Sequence, residues 1–146
     1  MSIKIEIDGN VVQVPEGSSV LDAINTSGIY LPQLCKDPDM KSIGACRTCL
    51  VEVDGAKGFP ASCSVPATDG LKIWTNTPSL NSVRKGVLEL TMAMVKGDNT
   101  DNANGHRELT VAAEHYDLKA SRWRGREREL VDSSNPVFEI AMGDCI

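Results

Sequence analysis

Residues 35–63 read CKDPDMKSIGACRTCLVEVDGAKGFPASC and contain four of the five cysteines in this chain. The spacing is C-x10-C-x2-C-x13-C, formed by Cys35, Cys46, Cys49 and Cys63. Structural zinc sites usually have two close cysteine pairs, whereas this stretch has one pair and two single cysteines. The plant-type arrangement around a 2Fe-2S cluster, C-x4-C-x2-C with a distant fourth cysteine, differs only in its shorter first gap. The spacing therefore favours a cluster of two irons bound by four thiolates.

Small residues precede the C-x2-C pair, as expected where backbone must approach sulfur closely. Gly44 permits unusual dihedral angles, and backbone N–H groups aimed at the sulfurs would raise the reduction potential of a cluster. Arg47 would act in the same direction, or would be an ordinary solvated arginine. Three other interpretations stay open: the four cysteines hold structural zinc, Cys46 and Cys49 form a thiol–disulfide active site, or the cysteines are inert and buried.

The sequence before this stretch predicts a β-hairpin and a short helix. Apolar and polar residues alternate over residues 3–7, which is typical of a strand with one wet face. Asp8-Gly9 is a preferred hairpin turn, and valines at 11, 12 and 14 form the return strand. Ser18 or Ser19 can cap a helix that runs through Ile24.

The rest of the chain predicts an irregular loop, short strands and two helices. Residues 29–49 lack periodicity and form a loop, with strands at 50–53 and 71–75 and a possible short strand at 61–64. A helix enters at Thr77-Pro78. Its apolar stripe is expected to be core: Leu80, Val83, Val87, Leu90 and Met94. A second helix covers residues 108–118, with Leu109, Ala112 and Tyr116 on one face.

Length and charge narrow the functional classes. A chain of 146 residues fits one domain, or a small domain with an appendage. A net charge of -5 disfavours nucleic acid as a partner. No apolar run reaches the ~18 residues needed to span a bilayer, and no signal peptide is evident, so we expect a cytoplasmic protein without a transmembrane segment. In that reducing compartment, cysteines point to metal or redox chemistry.

Three segments resemble a known family closely. GIYLPQLC, GACRTCLVEVDG and PASCSVPATDGLKIWTNTPSLNSVRKGVLEL are similar to the N-terminal 2Fe-2S domain of the large iron-sulfur subunit of respiratory complex I. The same domain occurs in diaphorase subunits of NAD-linked hydrogenases and in the alpha subunit of NAD-dependent formate dehydrogenases. The resemblance covers residues 1 to about 95. It implies a beta-grasp ferredoxin fold of class α+β, with Cys35, Cys46, Cys49 and Cys63 as cluster ligands.

The resemblance also implies that a second cluster is missing. The family continues with H-x3-C-x2-C-x5-C, which binds a 4Fe-4S cluster. This chain has KGDN and NGHRELTVAAEHYDL around the position but none of the three cysteines, and Arg107 stands where the last would be. We expect one 2Fe-2S cluster and no 4Fe-4S cluster. His106 and His115 are expected to be ordinary helix residues.

The domain organisation follows from these features. We expect a beta-grasp 2Fe-2S domain over residues 1–78 and a helical C-terminal appendage over residues 79–146, with a polar, turn-rich break at 97–105. SSNPVFEIAMGDCI resembles the lead-in to the family's next ferredoxin module, which predicts either a cut at that module or a naturally short subunit. Cys145 is then free or disordered.

A basic segment, Lys119 to Arg128, has two interpretations. Its cations around Trp123 dock an acidic partner, or the segment is simply solvated, with Glu127 and Glu129 interspersed.

The resemblance implies a one-electron carrier without a catalytic site of its own. Expected partners are a flavin and iron-sulfur diaphorase subunit and the catalytic subunit of a formate dehydrogenase or hydrogenase complex. The alternatives are a fragment of a complex I-type subunit and a structural zinc or interaction module on the same scaffold.

Overall fold

The structure, a computed structural model, describes residues 1–95, 107–123 and 131–141, with Arg107 and Ala141 described by their backbone alone. The chain divides into two compact units, Met1–Arg84 and Lys85–Ile146. The described residues form a mixed four-stranded sheet, a two-stranded sheet and three α-helices. This is the α+β class that the sequence predicts. The expected break at 97–105 lies outside the described residues.

The predicted N-terminal hairpin is present. Strands β1 (Ser2–Ile7) and β2 (Asn10–Pro15) pair antiparallel, with Ile7 opposite Asn10. Asp8 and Gly9 both have positive φ, 49° and 84°, which is the backbone that a two-residue hairpin turn requires. The Thr75 N–H donates to Asp8 Oδ1 at 2.8 Å, so the turn is also bonded to a residue far along the chain.

Two short strands complete the first sheet in the order β2-β1-β4-β3. Strand β3 (Glu52–Val53) pairs antiparallel with β4 (Lys72–Trp74), and β4 pairs parallel with β1. Both strands lie inside the ranges that the sequence predicts. Ile5, Ile7 and Ile73 are each at most 1% exposed, so one face of the sheet forms part of the core.

Helix α1 (Val20–Thr26) begins at a capping box. Ser19 is the N-cap, its side chain accepts from the Asp22 N–H, and the Asp22 carboxylate accepts from the Ser19 N–H at 2.9 Å. The prediction of a serine cap is confirmed and resolved in favour of Ser19. Four residues of this helix are buried: Val20, Leu21, Ala23 and Ile24.

The prediction of a short strand at 61–64 is wrong. Ala61 makes one isolated bridge with Leu50, and the chain then turns into a 3₁₀ helix, Ser62–Ser64. The Ser62 N–H donates to the Cys49 carbonyl as part of that bridge, whereas the Ser64 and Val65 N–H groups donate back to the carbonyls of Ala61 and Ser62. These two local bonds close the 3₁₀ turn, so the strand pairing stops after one bridge, and Cys63 is buried.

Helix α2 (Pro78–Met94) starts at the predicted proline, but its buried face is not the predicted one. Val83, Leu90 and Met94 are 42%, 51% and 56% exposed. Only Leu80 of the expected stripe is fully buried, and the other buried positions of the helix are Arg84, Leu88, Glu89 and Met92. An apolar pattern cannot identify this face, because Arg84 and Glu89 are buried through polar contacts.

Helix α3 (Arg107–His115) confirms the predicted apolar face, since Leu109 and Ala112 are 0% exposed and Tyr116 is 8% exposed. The helix is shorter than expected because Asp117 adopts a φ of 53°, which ends the helical backbone. His115 lies edge-on to the Tyr116 ring. Strands β5 (Val131–Asp132) and β6 (Ile140–Ala141), which the sequence did not predict, form the second sheet.

The basic segment is described only as far as Trp123. There, Arg122 pairs with Glu89 at 2.6 Å, its guanidinium lies 5.9 Å from the centre of the Trp123 ring, and Trp123 is 53% exposed. Arg122 therefore forms its ion pair with a residue of the same unit, Lys85–Ile146. Arg124, Arg126 and Arg128, like His106 and Cys145, lie outside the described residues. No helix in the described ranges is both long and apolar enough to cross a membrane.

Candidate functional site

The four sequence-predicted cysteines lie on the loop and the 3₁₀ helix beside the first sheet. Cys35 and Cys46 are half-buried on the loop, whereas Cys49 and Cys63 are only 2% and 6% exposed. All four are free thiols. Over residues 29–47 only Leu31 and Pro32 are buried, so the loop has little apolar packing of its own.

The structure brings the thiols together as two pairs. Cys35 interacts with Cys46 through their side chains, and Cys49 interacts with Cys63 in the same way. In the described ranges, no three histidine, cysteine or acidic side chains lie close enough to hold a single metal ion between them. The arrangement thus consists of two groups of two thiols each.

In the outer pair, Cys35 and Cys46, hydrogen bonds shift the pKa values of the two thiols in opposite directions. Burial raises the pKa of Cys35, and hydrogen bonding to the neighbouring Cys46 sulfur raises it further. Burial also acts to raise the pKa of Cys46, but hydrogen bonds with Thr48 and Cys35 outweigh it and hold that pKa below its usual value. Backbone N–H groups of Ala45 and Cys46 point at the Cys35 sulfur. Cys46 is therefore the thiol of this pair that ionises more readily.

The inner pair, Cys49 and Cys63, is more deeply buried than the outer pair. Burial raises the pKa of Cys49 to about 11, against opposing hydrogen bonds from the Cys63 backbone and the Ser62 side chain. The Ser64 hydroxyl lies 3.6 Å from the Cys63 sulfur. The neutral Cys49 thiol is thus favoured unless a positive centre binds it, because a buried thiolate lacks water to stabilise its charge.

Thr48, which sequence reasoning missed, connects the C-x2-C pair to the segment before Cys35. Its side chain is 0% exposed, and its hydroxyl donates to the Pro32 carbonyl at 3.2 Å and accepts from the Leu34 N–H at 3.4 Å. The same oxygen lies 3.1 Å from the Cys46 sulfur. Its place inside the C-x2-C motif was the only sequence signal for this role.

Ser62 is the second residue that sequence reasoning missed. It donates to the Cys49 carbonyl twice, from its backbone N–H at 2.9 Å and from its hydroxyl at 2.8 Å. These bonds join the third cysteine to the residue that precedes the fourth. Nothing in the sequence pattern marks Ser62 apart from its position next to Cys63.

Backbone conformation explains the small residue at position 44. Gly44 has a φ of +66°, and a Cβ added there would lie 2.8 Å from Ser64 Oγ. The atom that leaves no room for a side chain at position 44 is therefore Ser64 Oγ, and not a cysteine sulfur as expected from the sequence. Arg47 adopts a φ of 55° and its side chain is exposed, as its solvated interpretation expects.

Comparison with known proteins places these features in a family context. Residues 1–78 match the family described as a 2Fe-2S iron-sulfur cluster binding domain. The NADH-ubiquinone oxidoreductase 75 kDa subunit of Reclinomonas americana is 39% identical over 146 residues, which span 99% of this chain and 21% of that protein. NADP-reducing hydrogenase subunit HndD of Solidesulfovibrio fructosivorans is 37% identical over 131 residues, or 86% of this chain and 22% of that protein.

A solved structure is similar over most of the chain. The crystal structure of an NAD+-reducing NiFe hydrogenase in the H2-reduced state matches with a TM-score of 0.78 and 28% identity, covering 93% of this chain and 58% of that one. The chain spans about a fifth of the length of the curated relatives it matches.

Proposed function

Because the chain belongs to the 2Fe-2S iron-sulfur cluster binding domain family, we propose that Cys35, Cys46, Cys49 and Cys63 hold one 2Fe-2S cluster and that the protein relays single electrons. The observation that carries this proposal is the division of the four thiols into two contacting pairs. A 2Fe-2S cluster needs two thiolates on each iron. The pair Cys35/Cys46 supplies one iron and the pair Cys49/Cys63 supplies the other.

The surroundings of the sulfurs fit such a group. Thiolates are the soft ligands that iron and sulfide favour, and iron replaces the proton of a buried thiol such as Cys49. When bound, the cluster accepts and releases one electron at a time. The backbone N–H groups of Ala45 and Cys46 favour the more negative, reduced state, since they point their positive ends at the Cys35 sulfur.

We further propose that residues 1–78 form a beta-grasp domain. The sheet order β2-β1-β4-β3, the parallel pairing of β1 with β4 and the helix that follows the hairpin support it. We propose that residues 79–146 follow it as a helical appendage, whose described residues also include the short strands β5 and β6. The absence of the three family cysteines from this part of the sequence supports one 2Fe-2S cluster and no 4Fe-4S cluster.

The proposed setting is a cytoplasmic, multi-subunit NAD(P)-linked oxidoreductase of the hydrogenase or formate dehydrogenase type. There the protein receives or donates electrons between a flavin and iron-sulfur diaphorase subunit and a catalytic subunit. The similarity to the NAD+-reducing hydrogenase structure and to HndD supports this assignment. A complex I-type subunit is the second candidate, which the similarity to the NADH-ubiquinone oxidoreductase 75 kDa subunit favours.

The test is the metal content of anaerobically purified protein. We expect about two irons and about two acid-labile sulfides per chain, visible charge-transfer absorption, and a rhombic electron paramagnetic resonance signal after one-electron reduction. A colourless, zinc-loaded protein would refute the proposal. Iron content near six per chain would show that a second cluster binds. Subunits that co-purify from the native host distinguish the hydrogenase or formate dehydrogenase type from complex I.

A further inference from the structure

Arg84 is the largest fully buried side chain of the described residues, with 1% of its surface exposed. It lies on α2 and reaches across to two backbone carbonyl groups. Nη1 donates to the Thr75 carbonyl at 3.2 Å and to Asn81 Oδ1 at 3.3 Å, and Nη2 donates to the Leu50 carbonyl. All of these contacts lie within the unit Met1–Arg84.

These contacts connect the helix to the cysteine site. Leu50 follows Cys49 directly in the chain, and Thr75 follows strand β4. The chain just after Cys49 is thus held at two successive carbonyl groups. Ser62 donates to the Cys49 carbonyl, and Arg84 donates to the Leu50 carbonyl. The guanidinium supplies several donors in a rigid planar fork, which lets one side chain reach both Leu50 and Thr75.

A charge at this position has an electrostatic consequence as well as a structural one. Burying a cation is unfavourable unless polar groups compensate it, and the carbonyls of Leu50 and Thr75 and the side-chain oxygen of Asn81 contribute to that compensation. Arg84 bonds to the Leu50 carbonyl, Leu50 is the residue after Cys49, and consecutive Cα atoms are about 3.8 Å apart, so the guanidinium lies within roughly 10 Å of the Cys49 sulfur. At that separation, and with an effective dielectric constant of about 20, one charge changes a one-electron equilibrium roughly tenfold.

We propose that Arg84 is a positioning residue for the cluster site: it fixes the peptide that follows Cys49, and its buried positive charge raises the reduction potential of the bound cluster. The inference rests on the proposed function, because it concerns the cluster that Cys49 helps to bind. Reduction adds one negative charge to the cluster, and a nearby buried cation stabilises that state more than the oxidised one.

The test compares three variants of the full chain, each reconstituted with iron and sulfide. Arg84→Lys keeps the charge but lacks the fork, whereas Arg84→Gln and Arg84→Met are neutral. Lys85→Met is the matched control, since Lys85 is the next residue along α2 and is exposed. Midpoint potentials come from anaerobic redox titration, and cluster retention from the decay of visible absorption in the presence of a chelator.

The neutral variants are expected to have a lower midpoint potential. The equilibrium constant for one-electron reduction is expected to fall roughly tenfold, which corresponds to 59 mV. Arg84→Lys and Lys85→Met are expected to shift the equilibrium less than threefold. Arg84→Lys is expected to lose its cluster at least about threefold faster than the wild type, because one ammonium cannot hold both carbonyls. If the neutral variants assemble no cluster while Arg84→Lys does, the requirement for charge is supported.

A neutral variant that holds two irons at the wild-type potential would overturn the proposal. So would retention of the cluster by Arg84→Lys at the wild-type rate, since the guanidinium fork would then not hold the chain next to Cys49. If the wild-type protein binds no iron and sulfide after reconstitution, the proposed function itself is refuted. The two failures are therefore distinguishable.

Discussion

The Thr48 hydroxyl lies 3.1 Å from the Cys46 sulfur. The same hydroxyl bonds to the Pro32 carbonyl and the Leu34 N–H, so one buried side chain links two ends of the loop. Thr48→Val keeps the shape but leaves these backbone groups unpaired. We expect a loss of about 1–3 kcal/mol in the free energy of unfolding, measured by urea denaturation of the metal-free chain.

Thr48→Ser is the control for that experiment, because it retains the hydroxyl and removes only a methyl group. We expect the serine variant to keep more of the stability than the valine variant. Equal stability of Thr48→Val and wild type would show that the hydroxyl does not hold the loop.

Cys46→Ser is expected to prevent cluster assembly, because one iron would lose a thiolate. Residues 29–65 are then expected to become sensitive to protease, since the loop buries little apolar surface. Iron and sulfide analysis together with limited proteolysis measures both effects. Cys145→Ser is the control and is expected to keep about two irons; normal iron content in Cys46→Ser would contradict the ligand assignment.

Gly44→Ala is expected to destabilise the protein by at least about 1 kcal/mol, because alanine is unfavourable at positive φ. A further loss is expected because the new Cβ would lie 2.8 Å from Ser64 Oγ. Gly55→Ala is a close control, since Gly55 has a φ of +72° and nothing within 4 Å of an added Cβ. Chemical denaturation of both variants separates backbone strain from crowding, and equal losses would argue against crowding.

The Ser19–Asp22 capping box is expected to make stability depend on pH. Partial burial acts to raise the pKa of Asp22, but hydrogen bonds from Ser19 and the charge of Lys36 hold it below its usual value. A lowered carboxyl pKa adds stability that is present above the unfolded-state pKa, about 4, and is lost as the pH falls through the folded-state value.

Asp22→Asn should therefore unfold more easily than wild type at pH 7, by about 1 kcal/mol, a typical size for a capping interaction. The difference should shrink as the pH falls below about 4, since the wild-type carboxylate is then protonated. Thermal unfolding followed by circular dichroism from pH 7 to pH 3 tests this. A difference that stays constant across the range would show that the Asp22 charge is not involved.

Two leucines test which face of α2 is buried. Leu88 is 0% exposed and Leu90 is 51% exposed. We expect Leu88→Ala to reduce the free energy of unfolding by about 2–5 kcal/mol, and Leu90→Ala by about 0.5 kcal/mol or less. Urea denaturation of the two variants measures the contrast, and a larger loss at Leu90 would restore the face that the apolar pattern predicts.

Local patterns predicted the parts of the fold that depend on near neighbours. The alternation over residues 3–7, the Asp8-Gly9 turn and the serine cap of α1 each involve interactions within a few residues, so the sequence carries them directly. The 3₁₀ helix at Ser62–Ser64 could not be predicted in this way, because it forms where the pairing of Ala61 with Leu50, eleven residues earlier, stops after one bridge.

The sequence by itself determined which sulfur donors are available and which family the chain resembles, because residue type and spacing are properties of the chain. Only the tertiary structure decided that Cys35 faces Cys46, that Cys49 faces Cys63, and that Arg84 is buried. The physical reason is that a polar side chain becomes part of a core only when distant carbonyl groups are brought within hydrogen-bonding distance of it.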